Sequence, residues 1–260
     1  MVYTAHGWSF ADGVAQPGRA VYKFLERRFA PMADAIITVC QADREYALVN
    51  SVGRSDQLIA VNNGIVYMPL KTTTQKVDLA PKIVMVARFE QPKDHLMLVS
   101  SLSGIKDIDW SLDLVGDGPL LDSVRNRVFQ LGIQDRVNFL GRRSDVAAIL
   151  EKSDVFVLTS FWEGFPLSII EAMRASIPTI ASNVGGVAEA IDEGVTGFLI
   201  DVGDVSALQI YLRELILDPE KRRALGENAR LKYEDSFTFE IMAKKTLEVY
   251  EAVLLGNKRY

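Results

Sequence analysis

From residue 35 onward, short β-branched runs alternate with segments whose apolar residues recur at helical spacing. The runs at 35–39, 58–61, 83–87, 112–115, 137–140, 155–158, 179–181 and 198–200 read as strands. Several are continuously apolar rather than alternating, as strands covered by helices on both faces require. Between them, 94–102, 120–131, 146–150, 167–175 and 206–217 carry apolar residues at the spacing of amphipathic helices. Strand and helix in strict succession predict βα units closing a doubly wound parallel sheet. The stretch LKTTTQKVDLAP, residues 70–81, interrupts this pattern and is bounded by Pro69 and Pro81, so it reads as a linker. The expected division is a small α/β domain at 1–69, the linker at 70–81, a Rossmann-like domain of about six strands at 82–235, and a closing helix at 236–260. Asp218-Pro219 marks a helix start near the end.

Composition narrows the possible partners. The 260 residues carry 29 Lys and Arg against 34 Asp and Glu, a formal net charge of -5, so the basic surface that tracks nucleic-acid phosphates is not expected. The single cysteine, Cys40, ends the apolar run AIITVC, which predicts a buried, inert thiol and a reducing, cytoplasmic setting. Neither a secretory leader nor an apolar run long enough to span a membrane is evident, and a soluble or peripheral protein is expected. One segment bears on the second option. Residues 18–34 place Arg19, Lys23, Arg27 and Arg28 beside Val21, Phe24, Leu25 and Phe29. That composition suits a basic amphipathic helix on an anionic lipid surface, and equally an ordinary helix packed on its own domain.

Candidate chemistry gathers where predicted strands end, which is where open α/β sheets bind ligands. TSFWEGFPLSIIEAM, residues 159–173, runs from a strand into a helix. Gly164 permits a sharp turn, Pro166 suits an early helical position, and backbone amides around Phe165, Leu167 and Ser168 would lie at a helix N-terminus able to hold phosphate oxygens. Glu163 and Glu171 bracket that helix start and are read as facing one cleft; as a bare pair they are also what a dipole-favouring acid and a surface glutamate look like. In VARFEQPKDH, residues 86–95, Arg88 offers a planar two-pronged donor and Lys93 a mobile point charge, together enough to neutralise a diphosphate without a metal. Gly116 and Gly118 in LVGDGPL, and Gly185 and Gly186 in NVGGVAEAI, are assigned to tight turns, with Glu189 favouring the first turn of its own helix. His6, in TAHGWSF, follows a strand-like lead and can donate to a phosphate or a sugar hydroxyl at neutral pH.

In this order and spacing, HGWSF, ADAIITVCQADRE, VNNGI, VARFEQPKDH, LVGDGPL, VNFLGRRSDV, EGFPLSIIEAM, NVGGVAEAI and GVTGFLI resemble glycosyltransferase family 4, the retaining group 1 glycosyl transferases of GT-B fold. The resemblance covers essentially the whole chain. It implies that Arg88 and Lys93 bind the donor diphosphate and stabilise it as leaving group. It puts Glu163 near the transferred sugar and Glu171 on the ribose hydroxyls, as the two glutamates of the family's E-x7-E signature. Gly164, Phe165, Pro166, Leu167 and Ser168 form the turn that contacts phosphate and sugar, although Pro166 has no amide to offer. Arg142 falls in the segment that cradles the base, and His6 is the histidine offered across the cleft.

The implied substrates are a UDP- or GDP-sugar donor and a glycan or lipid-linked acceptor in cell-surface polysaccharide or lipopolysaccharide biosynthesis. No cofactor and no metal are expected, and the implied location is cytoplasmic or peripheral on the inner membrane face. The family's N-terminal domain is expected to be only partly present, roughly its first hundred residues being absent ahead of His6. A non-catalytic nucleotide-sugar-binding module, or one subunit of a split transferase, is the alternative that this shortness raises. A sugar-nucleotide epimerase would call for more acid/base residues, and a glycoside hydrolase has no use for Arg88 and Lys93.

Overall fold

The computed structural model describes residues 1–11, 17–69 and 80–256. The expected linker at 70–81 thus falls mostly outside the described residues.

Nine strands form two parallel sheets among the described residues. The smaller sheet has the order β1-β2-β3, from β1 (Val2–Ala5), β2 (Ala35–Thr38) and β3 (Leu58–Ala60). The larger contains β4 (Lys82–Val86), β5 (Ser111–Val115), β6 (Val137–Gly141), β7 (Val155–Leu158), β8 (Thr179–Ser182) and β9 (Gly197–Ile200), in the order β6-β5-β4-β7-β8-β9. Each of these pairings is parallel. The continuous apolar runs are the buried strands: all four residues of β7 and of β8 are buried. A topological switch lies between β4 and β7, where successive crossovers leave the sheet in opposite directions and a crevice opens at the strands' carboxyl ends.

The helices follow the expected alternation. In the smaller unit they are α1 (Gly18–Phe29) and α2 (Gln41–Val49). The larger unit contains α3 (His95–Ser103), α4 (Leu121–Gln130), α5 (Val146–Leu150), α6 (Leu167–Arg174), α7 (Val187–Ala190), α8 (Val205–Leu217) and α9 (Pro219–Ser236). Asp94, Asp204 and Asp218 cap α3, α8 and α9, each accepting a backbone N–H at 2.9 Å. These caps satisfy donors that the helices themselves leave open. Pro219 occupies the first turn of α9, where its missing N–H costs nothing.

The last helix, α10 (Phe239–Leu254), returns to the first unit. Val249, Met242 and Val253 pack with Ala35, Ile37 and Val61 on one face of the small sheet, while Trp8, Phe10 and Ile36 lie in a separate core on the other face. The chain therefore crosses between the units twice, and the described parts of the two crossings run side by side. Ile65 donates its N–H to the Phe237 carbonyl at 3.1 Å and accepts from Phe239 N–H at 2.8 Å. Arg230, 6% exposed, clamps them: it donates to the carbonyls of Met68 and Arg174, pairs with Glu234 and stacks between Tyr67 and Tyr233.

Helix α1 has no buried residue, and Val21, Phe24, Leu25 and Phe29 are all exposed. Two of its basic residues turn onto the protein instead: Arg19 donates to the Phe10 carbonyl and the Tyr46 hydroxyl, and Arg27 to the Asn50 carbonyl. Among the described residues no helix is long and apolar enough to cross a membrane.

Candidate active site

The loops that leave β4 and β7 meet at the switch. Phe161 N–H donates to the Pro92 carbonyl at 2.9 Å, and Lys93 and Ser160 form a short antiparallel bridge. This pairing aims Lys93 at Glu163. The two form an ion pair with side chains only 17% and 10% exposed, and the Ser160 hydroxyl donates to the same Glu163 oxygen at 2.6 Å. A carboxylate so held presents its second oxygen as an acceptor, while the lysine is drawn into the crevice rather than left in solvent.

Arg88 projects from the same β4 loop, 70% exposed and within 3.0 Å of Glu90. With Val86, Ala87, Val115, Gly116, Asp117, Arg142, Arg143 and Val146 it lines a cleft of about 530 Å³ over the carboxyl ends of β4, β5 and β6. Gly116 makes room for it: φ is +146°, and a Cβ there would stand 2.0 Å from the Ala87 carbonyl oxygen. Arg143 is bidentate to Asp145, at 2.7 and 2.8 Å, whereas Arg142 has no ion-pair partner among the described residues. Positive charge at the cleft with an apolar floor of Val86, Val115 and Val146 suits a phosphorylated ligand that also has a planar apolar part.

Helix α6 starts beside this crevice. Pro166 is its N-cap and no side chain caps it, so the first-turn amides of Leu167 and Ser168 are the donors available there. Phe165 is a core residue, 4% exposed and packed on Phe237 at 5.3 Å; its carbonyl accepts from Asn63 Nδ2 at 3.1 Å. Glu171, further along α6, lines a different and much smaller pocket with Met68, Glu151 and Arg174, and burial raises its pKa. The structure brings Glu163 to Lys93 directly, and Glu171 follows two turns further along α6.

His6 stands exposed at the carboxyl end of β1, and its carbonyl oxygen lies 3.6 Å from where a Cβ on Gly164 would be. The first unit thus reaches the crevice at the turn that carries Glu163. Cys40 is fully buried; its sulfur accepts the Asp43 N–H at 3.3 Å, and burial drives the thiol pKa far upward. Asp43 is the group that sequence reasoning misses. One of its carboxylate oxygens is buried without a hydrogen-bond partner among the described residues and lies 3.4 Å from the position of a Gly164 Cβ. Burial, with Glu189 nearby, pushes its pKa upward. Ser160, Asn62 and Asn63 also lie at the crevice without a role assigned from sequence, because nothing local separates them from ordinary loop residues. Among the described residues no group of three His, Cys, Asp or Glu side chains is placed to hold a metal.

Residues 71–232 match the family described as "Glycosyl transferases group 1". The chain is 35% identical to the N-acetyl-alpha-D-glucosaminyl L-malate synthase of Bacillus anthracis over 68% of its own length and 46% of the relative's. It is 28% identical to the UDP-Gal:alpha-D-GlcNAc-diphosphoundecaprenol alpha-1,3-galactosyltransferase of Escherichia coli, over 96% of this chain and 68% of that protein. The chain thus spans about half of the first relative and two thirds of the second. Among solved structures, Anabaena Alr3699/HepE in complex with UDP and glucose superposes with a TM-score of 0.86 at 24% identity, covering 96% of this chain and 71% of that one. That likeness speaks for the fold: two α/β units of the GT-B class facing each other across a crevice.

Proposed function

The chain belongs to the glycosyl transferases group 1 family, and from that premise we propose that it carries the donor site of a retaining glycosyltransferase that moves a sugar from a UDP- or GDP-sugar to a glycan or lipid-linked acceptor. The observation that carries this reading is the Lys93–Glu163 pair at the switch point, beside a cleft lined by Arg88 and Arg142. Arg88 and Lys93 take the diphosphate, aided by the amides of Leu167 and Ser168. Arg142 borders the base, Glu163 accepts from hydroxyls of the sugar, Glu171 holds the ribose, and His6 approaches from the first unit.

In the transfer the bond from the anomeric carbon to the β-phosphate oxygen breaks and a bond to the acceptor oxygen forms on the same face. The acceptor's proton passes to the departing phosphate oxygen, so no protein base is required. What the protein supplies is fixed positive charge where negative charge develops. Because two side chains provide that charge, no metal enters the reading, and chelation with EDTA should leave donor binding unchanged. Names among the relatives, a UDP-Gal transferase acting on a diphosphoundecaprenol-linked sugar among them, support a nucleotide-sugar donor and a lipid-linked or glycan acceptor. For the lipid acceptor, the exposed apolar and basic face of α1 is the proposed contact with the membrane. Failure to sediment with anionic vesicles would remove that part.

The test is calorimetric titration with UDP and with GDP, repeated on the Arg88→Ala/Lys93→Ala double variant. Micromolar binding of one nucleotide, lost in the variant, supports the donor site and identifies the base. Absence of binding to either by the folded chain refutes it. Binding without transfer to any acceptor would favour a nucleotide-sugar-binding module instead.

A further inference from the structure

Glu189 does not act on its own helix. From α7 in the larger unit its carboxylate reaches the smaller one. Oε2 accepts the Gln41 N–H and Oε1 the Ala42 N–H, each at 3.0 Å, and Asn62 Nδ2 donates to Oε2 at 3.0 Å. Gln41 and Ala42 are the first two residues of α2, so a carboxylate side chain of one unit caps a helix of the other. The amides there have no intrahelical partner, and the helix dipole favours negative charge at that end.

The backbone just before Glu189 is fitted to the same seam. A Cβ on Gly186 would stand 2.6 Å from the Cβ of Cys40, and one on Gly185 would stand 1.9 Å from the Glu163 carbonyl oxygen. Gly186 N–H donates to the Gly164 carbonyl at 2.8 Å. The turn before α7 is therefore pressed between the α2 cap and the backbone that carries Glu163. Across the seam, Asp43 and the His6 carbonyl lie against Gly164.

We propose that Glu189 is the latch that holds the two units closed, and that by capping α2 it positions His6 and Asp43 opposite the Glu163–Gly164 turn. The latch stands on this geometry alone; that the crevice it closes serves sugar transfer rests on the reading above. In Glu189→Ala the three bonds are lost. In Glu189→Gln one amide N–H faces the Nε2 donor and has no acceptor. Gly186→Ala wedges the seam from the same turn, by pressing a Cβ onto Cys40.

The experiment places nitroxide labels on cysteines introduced at Val49 and Ile210, 84% and 63% exposed and one in each unit, while the buried Cys40 stays unlabelled. Electron–electron dipolar spectroscopy of the whole chain should give one narrow distance. Glu189→Ala and Gly186→Ala should add a longer, broader component, with the open-to-closed ratio raised roughly tenfold or more, the equivalent of losing one charge-assisted hydrogen bond. Glu189→Gln should fall between, and circular dichroism should show all three variants folded. In the two Glu189 variants the Kd for UDP or GDP should stay within about twofold, because the cleft lies wholly within the larger unit. A Glu189→Ala distance distribution that matches the parent overturns the latch, as does a parent distribution already as broad as the variant's. Opening by Glu189→Ala in a chain that binds neither nucleotide would uphold the latch and remove the donor reading.

Discussion

His95 lies two residues after Lys93, is 2% exposed and is stacked on Phe89 at a centroid distance of 4.1 Å, and neither ring nitrogen has a hydrogen-bond partner among the described residues. Burial, reinforced by the Lys93 ammonium, lowers its pKa from the ordinary 6.5 to about 4. The folded chain therefore keeps this ring neutral at a pH where the unfolded chain protonates it. Stability from this source is complete above pH 6.5 and is lost as pH falls from there towards 4. At about 1.4 kcal/mol per pH unit, the full loss is about 3 kcal/mol, of which about 2 is reached by pH 5. His95→Phe keeps the stack on Phe89 and removes the titration. Urea unfolding of both proteins at about pH 7.5 and about pH 5 isolates the effect, because the other titrating groups are common to the two. At the higher pH the variant should be as stable as the parent or slightly more so, having lost two unpartnered buried nitrogens. At the lower pH its advantage over the parent should be larger by about 2 kcal/mol. Equal losses in the two proteins would refute the argument, by showing that the ring finds a proton-tolerant environment in the folded state.

Other perturbations test neighbouring parts of the argument. Lys93→Ala leaves the largely buried Glu163 carboxylate with only Ser160, and should cost roughly 3 kcal/mol in urea unfolding as well as abolishing nucleotide binding by calorimetry. Arg230→Met keeps the bulk but strips donors from the Met68 and Arg174 carbonyls, and a loss of about 3 kcal/mol in urea unfolding is expected. Gly116→Ala must shift the Ala87 carbonyl and occupy a left-handed conformation, so about 2 kcal/mol of stability should go, together with roughly tenfold or more of nucleotide affinity. Glu171→Ala should weaken nucleotide binding if that glutamate holds the ribose; an unchanged Kd would confine it to the small pocket it lines with Glu151 and Arg174.

Much of the larger unit can be read from local pattern. Continuous apolar runs in a helix-separated series can be buried only in a parallel sheet covered on both sides, so all six strands of that sheet are expected within a residue or two of their observed limits. The candidate residues Arg88, Lys93 and Glu163 are legible for the same reason: they directly follow strands β4 and β7, and the strand order makes those ends neighbours.

What the sequence by itself determined is therefore the elements and the chemistry at their ends, both consequences of periodicity and residue type acting over a few positions. Only the tertiary structure decided how the units meet. The packing of α10 on the first sheet, the buried oxygen of Asp43 beside Gly164, and the distant partners of Glu189 in the other unit depend on the relative placement of the two units. Glu189 makes the physical reason plain. An acid in a first helical turn is favoured by the dipole of that helix, which is the role its position in the sequence suggests. The same attraction operates at the open amides of any helix brought within reach, and here the fold brings α2.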